Sequence, residues 1–144
     1  MSAKIASIAI KTEHRSPLVE ADNAAVEDSG LVGNVGQTDK QRITLLARED
    51  WEAVQAELNM DLPWITRRAN LLTEGLVMND ILGKSLKIGE IELFVEGETF
   101  PCDLMDTYCQ GLKHALDPGC RGGVHARVVK SGNIAVGDTI SILD

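Results

Sequence analysis

From Glu90 to Glu96 the chain reads Glu-Ile-Glu-Leu-Phe-Val-Glu, with Ile91, Leu93 and Val95 alternating against Glu92, Phe94 and Glu96. A period of two places one set on a buried strand face and the other toward solvent. Weaker versions of the pattern recur. Lys4 to Lys11 suits an opening or edge strand, Gln41 to Ala47 is strand-like, and Ile65 to Thr73 sets β-branched and apolar residues around the Arg67-Arg68 pair, predicting a strand that carries arginines. Val124 to Val129 and Thr139 to Leu143 read as strands separated by the turn signals Ser131-Gly132-Asn133 and Gly137-Asp138, so the chain is expected to end in a hairpin or a bulged pair. Asn79-Asp80 and Gly83 mark turns before Ser85 to Gly89, while Thr12 to Val26, with Pro17, Asp22 and Asn23 and few large apolar residues, predicts a loop or irregular arm.

The period changes in two places. Trp51, Val54 and Leu58 fall at i, i+3 and i+7 within Arg48 to Met60, one face of a helix that Pro63 closes. Asp103 to Leu116 predicts a single amphipathic helix whose inner face carries Met105, Cys109, Leu112 and Leu116. Several short strands broken by glycine turns, with two helices, predict a mostly β fold: a largely antiparallel barrel, since a βαβ array needs more helices. A faint echo between Leu86-Lys-Ile-Gly-Glu90 and Ile134-Ala-Val-Gly-Asp138 slips by one residue afterwards and is no duplication.

A chain of 144 residues suits one domain, 1–144, and no apolar run approaches the length that spans a bilayer. The N-terminal segment lacks the continuous apolar stretch of a secretory signal and reads as a strand. A net charge of −8 argues against nucleic acid and anionic membrane as partners, so an anionic ligand must be met by local cations. The three cysteines, Cys102, Cys109 and Cys120, have spacings that fit neither a disulfide framework nor paired zinc knuckles; free thiols in a reducing cytoplasm are expected.

All three thiols lie between Thr99 and Val129, where chemistry is most expected. Cys102 stands just ahead of the predicted helix, whose unpaired N–H groups favour a thiolate that can attack, carry a persulfide or ligate a soft metal. Asp103 and Asp106 would oppose this if they face the sulfur, and a small residue capping the helix remains the other reading. Cys109 belongs to the helix's packed face, and Cys120 sits in the turn Asp117-Pro-Gly-Cys-Arg-Gly-Gly123. Arg67, Arg68, Arg121 and Arg127 lie on or beside strands of an acidic protein; their forks suit phosphate or carboxylate ligands, and equally salt bridges to the abundant Asp and Glu. Asn70 is expected on the same strand face as Arg68. Gly30-Leu-Val-Gly-Asn-Val-Gly36 is dense in glycine but matches no phosphate-binding loop, and His14, His114 and His125 have no metal-site spacing.

In order along the chain, Gln41-Arg-Ile-Thr-Leu-Leu46, Arg67-Arg-Ala-Asn-Leu-Leu-Thr-Glu-Gly75, Leu86-Lys-Ile-Gly89, Phe100-Pro-Cys-Asp103, Gly111-Leu112, Arg121-Gly-Gly-Val-His-Ala-Arg-Val128 and Gly132-Asn-Ile-Ala-Val-Gly-Asp138 resemble MOSC domains, the C-terminal module of molybdenum cofactor sulfurases. The resemblance spans Ile8 to Leu143 and implies a MOSC-type β-barrel with small helices. It implies binding of the molybdenum cofactor (molybdopterin) or sulfur carriage, with Cys102 as persulfide carrier or molybdenum ligand. By the same resemblance Arg68 and Asn70 match a segment near the pterin phosphate, and Arg121 matches the Arg-Gly-Gly turn. The implied partners are a cysteine desulfurase or a molybdoenzyme. Gly30-Leu-Val-Gly-Asn34 departs from the family's Gly-x-x-Gly-Asp pattern by lacking the histidine that follows it. The chain also lacks the pyridoxal-phosphate desulfurase domain of full sulfurases. The alternatives are a non-catalytic adaptor that docks on a molybdoenzyme or desulfurase, and a barrel for another anionic metabolite.

Overall fold

A computed structural model describes residues 3–13, 16–35 and 43–143. Its centre is a closed seven-strand barrel, mostly antiparallel. The barrel strands are β1 (Ala3–Ile10), β5 (Ile43–Ala47), β6 (Leu71–Glu74), β7 (Ser85–Ile88), β8 (Ile91–Glu98), β9 (Val124–Lys130) and β11 (Thr139–Leu143). They run in the spatial order β11-β7-β8-β9-β5-β6-β1, closed by β1 against β11 through Ala3 opposite Ile140. The strand β2 (Val19–Ala21) adds to β1 outside the ring. A separate sheet joins β3 (Asn23–Glu27) to both β4 (Gly30–Leu31) and β10 (Gly132–Ala135).

The period-two pattern of β8 is realised in full. Ile91, Leu93 and Val95 are completely buried in the barrel, each contributing about 1.5–3 kcal/mol. In β1 the alternation breaks, because a register shift between Ile5 and Ser7 turns both Ile5 and Ile8 inward although they lie three apart. The small sheet adds Ala24, Val26, Leu31 and Ile134 to the same core.

One strand pair, β5 with β6, is parallel. A parallel neighbour requires a crossover, which α1 (Arg48–Leu58) begins on the outer wall, ending at Asn59 in the left-handed conformation. A second apolar core forms outside the barrel, where Trp51 and Val54 of α1 meet Leu46, Leu72, Trp64, Met105, Leu112 and Leu116.

Four expectations are corrected. Thr12 to Val26 is not an arm throughout, for β2 and β3 lie in it; their pairings with β1 and β10 organise a segment without strong local periodicity. Ile65 to Thr73 is not one strand: Trp64–Arg67 is a 3-10 turn, Arg68 is left-handed (φ 66°), and β6 starts at Leu71. Asp103 to Leu116 forms two helices, α2 (Leu104–Tyr108) and α3 (Leu112–Leu116), interrupted by extended Cys109 and left-handed Gly111. The Asp106 carboxylate accepts the Lys113 backbone N–H (3.0 Å) at the new helix start, so a side chain replaces the helical ladder there. The chain does not end in a hairpin, because β10 pairs with β3 while β11 pairs with β7 and β1. Gln41, Arg42, His14 and Gly36 lie outside the described residues.

Gly123 lets the chain re-enter the barrel. Its φ is +97°, and a Cβ there would stand 2.2 Å from the Leu45 carbonyl oxygen, a backbone atom of the adjoining strand. Gly123→Ala is expected to lower stability by roughly 3 kcal/mol or more. Urea denaturation checks this, and a midpoint equal to the parent's would refute it.

Candidate functional site

Between β8 and β9 the chain leaves the barrel at Thr99 and returns at Gly123, and the excursion carries Cys102, α2, α3 and Cys120. Its two ends are joined by the Thr99 N–H donating to the Gly123 carbonyl at 2.9 Å. Arg67 then fastens both ends to the 3-10 turn: Nε donates to the Gly122 carbonyl (3.0 Å) and Nη2 to the Thr99 carbonyl (2.8 Å). Gly122 leaves room for this, since a Cβ on it would come within 2.8 Å of the Thr99 oxygen and 3.2 Å of Arg67 Nη2.

Beside this clamp lies a cavity of about 270 Å³. Lys11, Arg67 and Arg68 line it together with Asn70 and Cys102, and Phe100, Leu104 and Met105 give it an apolar side. Among the described residues no carboxylate lines it. In a chain of net charge −8, that is a local reversal of sign which suits an anion. Arg67 is only 8% exposed, and burial pulls its pKa down from the ordinary value while the Cys102 sulfur pulls it up. Lys11 is held below the ordinary lysine value by burial first and by the Arg68 charge second.

Arg68 sits at the left-handed end of the turn, a conformation that costs a non-glycine residue about 1–2 kcal/mol. Its Nη1 donates to the Ser16 carbonyl at 2.9 Å. Asn70 is brought to the same cavity, though not by a shared strand face as expected. Its Oδ1 accepts from the Thr44 N–H (3.2 Å) and hydroxyl (3.3 Å), and its Nδ2 donates to the Ala9 carbonyl (3.2 Å) and to Asn34 Oδ1 (3.1 Å). Every polar atom of that amide is used in joining β1 to β5. Asn34 also lines the cavity, and its Oδ1 receives the Lys11 N–H at 2.8 Å.

Cys102 is exposed and lies two residues before α2, with Asp103 between them. Both nearby aspartates are engaged elsewhere. Asp103 Oδ1 accepts from Lys113 Nζ (2.7 Å), which holds its carboxyl below the usual range, and Asp106 caps α3. Cys109 is half-buried against the outer core. Cys120 is buried rather than displayed by its turn: its φ is 61°, its sulfur lies 3.6 Å from Asn79 Oδ1, and burial, then Glu98, push the thiol up.

Arg121 points away from the cavity and forms a bidentate pair with Glu57 of α1 at 2.6 and 3.2 Å. Arg127 lies over the Phe94 ring at 5.0 Å. The arrangement thus brings Arg68, Asn70 and Cys102 together and leaves Arg121 outside. It adds Lys11 and makes Arg67 the central cation. No local signal marks Lys11, a polar residue at the end of a strand; pairing of β1 with β6 sets it there. Among the described residues no group of three or more His, Cys, Asp or Glu could hold a metal. Nor is any described helix long and apolar enough to cross a membrane.

The MOSC domain family model matches residues 32–141, which include β5 through most of β11 and nearly all of the cavity wall. The chain belongs to the MOSC domain family. Solved structures agree at the level of fold. This MOSC domain superposes on YuaD of Bacillus subtilis with a TM-score of 0.84 at 16% identity, covering 99% of this chain and 96% of that one. YiiM of Geobacillus stearothermophilus gives 0.78 at 18% identity, covering 99% and 75%, and YiiM of Escherichia coli gives 0.75 at 15%, covering 98% and 70%. A comparison with curated proteins finds no match.

Replacing Arg68 by glycine in this MOSC domain relieves the left-handed backbone and removes one hydrogen bond, two effects of about 1 kcal/mol and opposite sign. Stability of Arg68→Gly is therefore expected within about 1 kcal/mol of the parent by thermal melting. Affinity for inorganic phosphate or sulfate should fall about tenfold by calorimetry; unchanged affinity would remove Arg68 from the anion site. Because the Lys11 pKa is lowered, its proton leaves earlier than from an ordinary lysine as pH rises. Anion affinity should weaken on that alkaline limb, and Lys11→Met should flatten it.

Proposed function

We propose that this MOSC domain binds the molybdenum cofactor or a closely similar anionic pterin, with Cys102 as a molybdenum ligand or as the carrier of a persulfide. The observation that carries the reading is a cavity lined by Lys11, Arg67 and Arg68 together with an exposed cysteine and, among the described residues, by no carboxylate. Buried charges are ordinarily paired. Arg67 has only two neutral carbonyls as partners among the described residues, so a phosphate completes its environment.

The donor set fits such a group. Arg68 and Arg67 hold the phosphate, Lys11 adds charge, and Asn70 keeps the wall in place through its four hydrogen bonds. Arg121, which family resemblance would place at the anion, is committed to Glu57 and acts by anchoring the returning end of the excursion to α1. Cys102 would be the thiol that this wall offers to molybdenum, whose bound cofactor supplies two-electron chemistry.

For sulfur carriage, the thiol must meet a partner such as a cysteine desulfurase or a molybdoenzyme. Phe100, 70% exposed, lies two residues from Cys102, and Leu104 and Tyr108 are also open to solvent. A docking partner would cover apolar side chains here. All three thiols are free, as suits the reducing cytoplasm.

Incubation with a cysteine desulfurase and cysteine should add the mass of one sulfur atom at Cys102, and Cys102→Ser should abolish the gain. Separately, reconstitution with molybdenum cofactor should leave molybdenum and pterin on the wild-type protein after gel filtration. Absence of both loadings would refute the proposal. An adaptor would instead keep partner binding in Cys102→Ser.

A further inference from the structure

Arg67 is more than nine-tenths buried, yet Nη1 makes no hydrogen bond among the described residues, and no described carboxylate neutralises the guanidinium. Rotation cannot supply a partner, because Nε and Nη2 are fixed by carbonyls at the two ends of the excursion. Arg67 thus brings a third donor to a cavity that Cys102 also lines. Lys11 and Arg68 bring the cations among the described residues of this wall to three. A single carboxylate would neutralise one of them. A compact group bearing two negative charges uses the set better.

Resting on the persulfide-carrier reading, we propose that Cys102 is loaded directly by a small dianionic sulfane-sulfur donor of the thiosulfate class, with Arg67, Arg68 and Lys11 binding its sulfonate oxygens. The thiol proton passes to solvent and the Cys102 thiolate attacks the outer sulfur. A bond forms between Sγ and that sulfur while the sulfur–sulfur bond of thiosulfate breaks, and its electron pair leaves with sulfite. Sulfur is transferred as a neutral atom, so the step needs no outside oxidant or reductant. Charge builds on the leaving sulfite, and the three cations stabilise it where no described carboxylate competes. A protein-borne persulfide leaves no dianion and gives these cations no such role. The donor thus follows from the charge of the cavity as well as from the thiol.

Intact-mass kinetics with two donors tests this: thiosulfate, which adds one sulfur atom, and dimethyl trisulfide, which carries no charge and loads the thiol with a methylthio group as methyl persulfide leaves. Thiosulfate should add one sulfur to the wild-type chain and none to Cys102→Ser. The ratio of thiosulfate to dimethyl trisulfide rates should fall about tenfold in Lys11→Met and at least as far in Arg67→Gln, with Arg67→Lys between them and wild type. Lys11 donates no side-chain hydrogen bond among the described residues, so Lys11→Met keeps the test valid should Arg67→Gln fail to fold. Loading by dimethyl trisulfide without loading by thiosulfate would overturn the donor class and leave the carrier reading intact. So would a rate ratio unchanged in Lys11→Met. No loading from thiosulfate, dimethyl trisulfide or a cysteine desulfurase would overturn the carrier reading itself.

Discussion

The guanidinium of Arg67 holds together two parts of the chain that the barrel alone would leave independent. One is the turn between α1 and β6, and the other is the excursion between β8 and β9, gripped at Thr99 and Gly122. Charged donors to neutral carbonyls contribute about 1.5–3 kcal/mol each when buried, enough to set the position of a short loop against a rigid wall. Asn70 completes this support from the other side by tying β1 to β5. Cys102 projects from a segment fixed at its base, although its own surroundings are open.

This support has an electrostatic consequence. Carbonyl oxygens satisfy N–H groups without neutralising charge, so a residue used as a brace keeps its full positive field. Had Arg67 been paired as Arg121 is with Glu57, the cavity would carry less charge and a weaker hold on an anion. The aspartates beside Cys102 are likewise turned to Lys113 and to the start of α3. Acidic residues outnumber basic ones in this chain, yet none among the described residues lines the cavity. An exposed thiol and a cluster of cations then share one cavity.

The outer helices serve the same end. Trp51, Leu112 and Leu116 pack in a core separate from the barrel interior, so the excursion is stabilised without altering the strands. Burial of Cys120 on a left-handed backbone sets the last turn before re-entry. The return itself depends on Gly123, since no side chain fits against Leu45.

Much of the barrel was legible in local pattern. The alternation of β8, the helical face of α1 and the position of Cys102 ahead of a helix depend on neighbours within a few residues, and the structure keeps all three. The ordered family motifs identified the fold for the same reason: each is a short turn or strand end with its own stereochemistry. The arginines were legible only as candidates. A guanidinium's role depends on which acceptor reaches it, and those acceptors lie far away in sequence: Gly122 is 55 positions from Arg67, Ser16 is 52 from Arg68, and Glu57 is 64 from Arg121. β3 and β10 escaped detection because each takes its order from the other across the fold. Sequence by itself determined a mostly antiparallel barrel with one well-placed thiol. Only tertiary structure decided that Arg67, Arg68 and Lys11 line one cavity with that thiol while Arg121 pairs with Glu57 instead, because charge neutralisation is settled by long-range contacts.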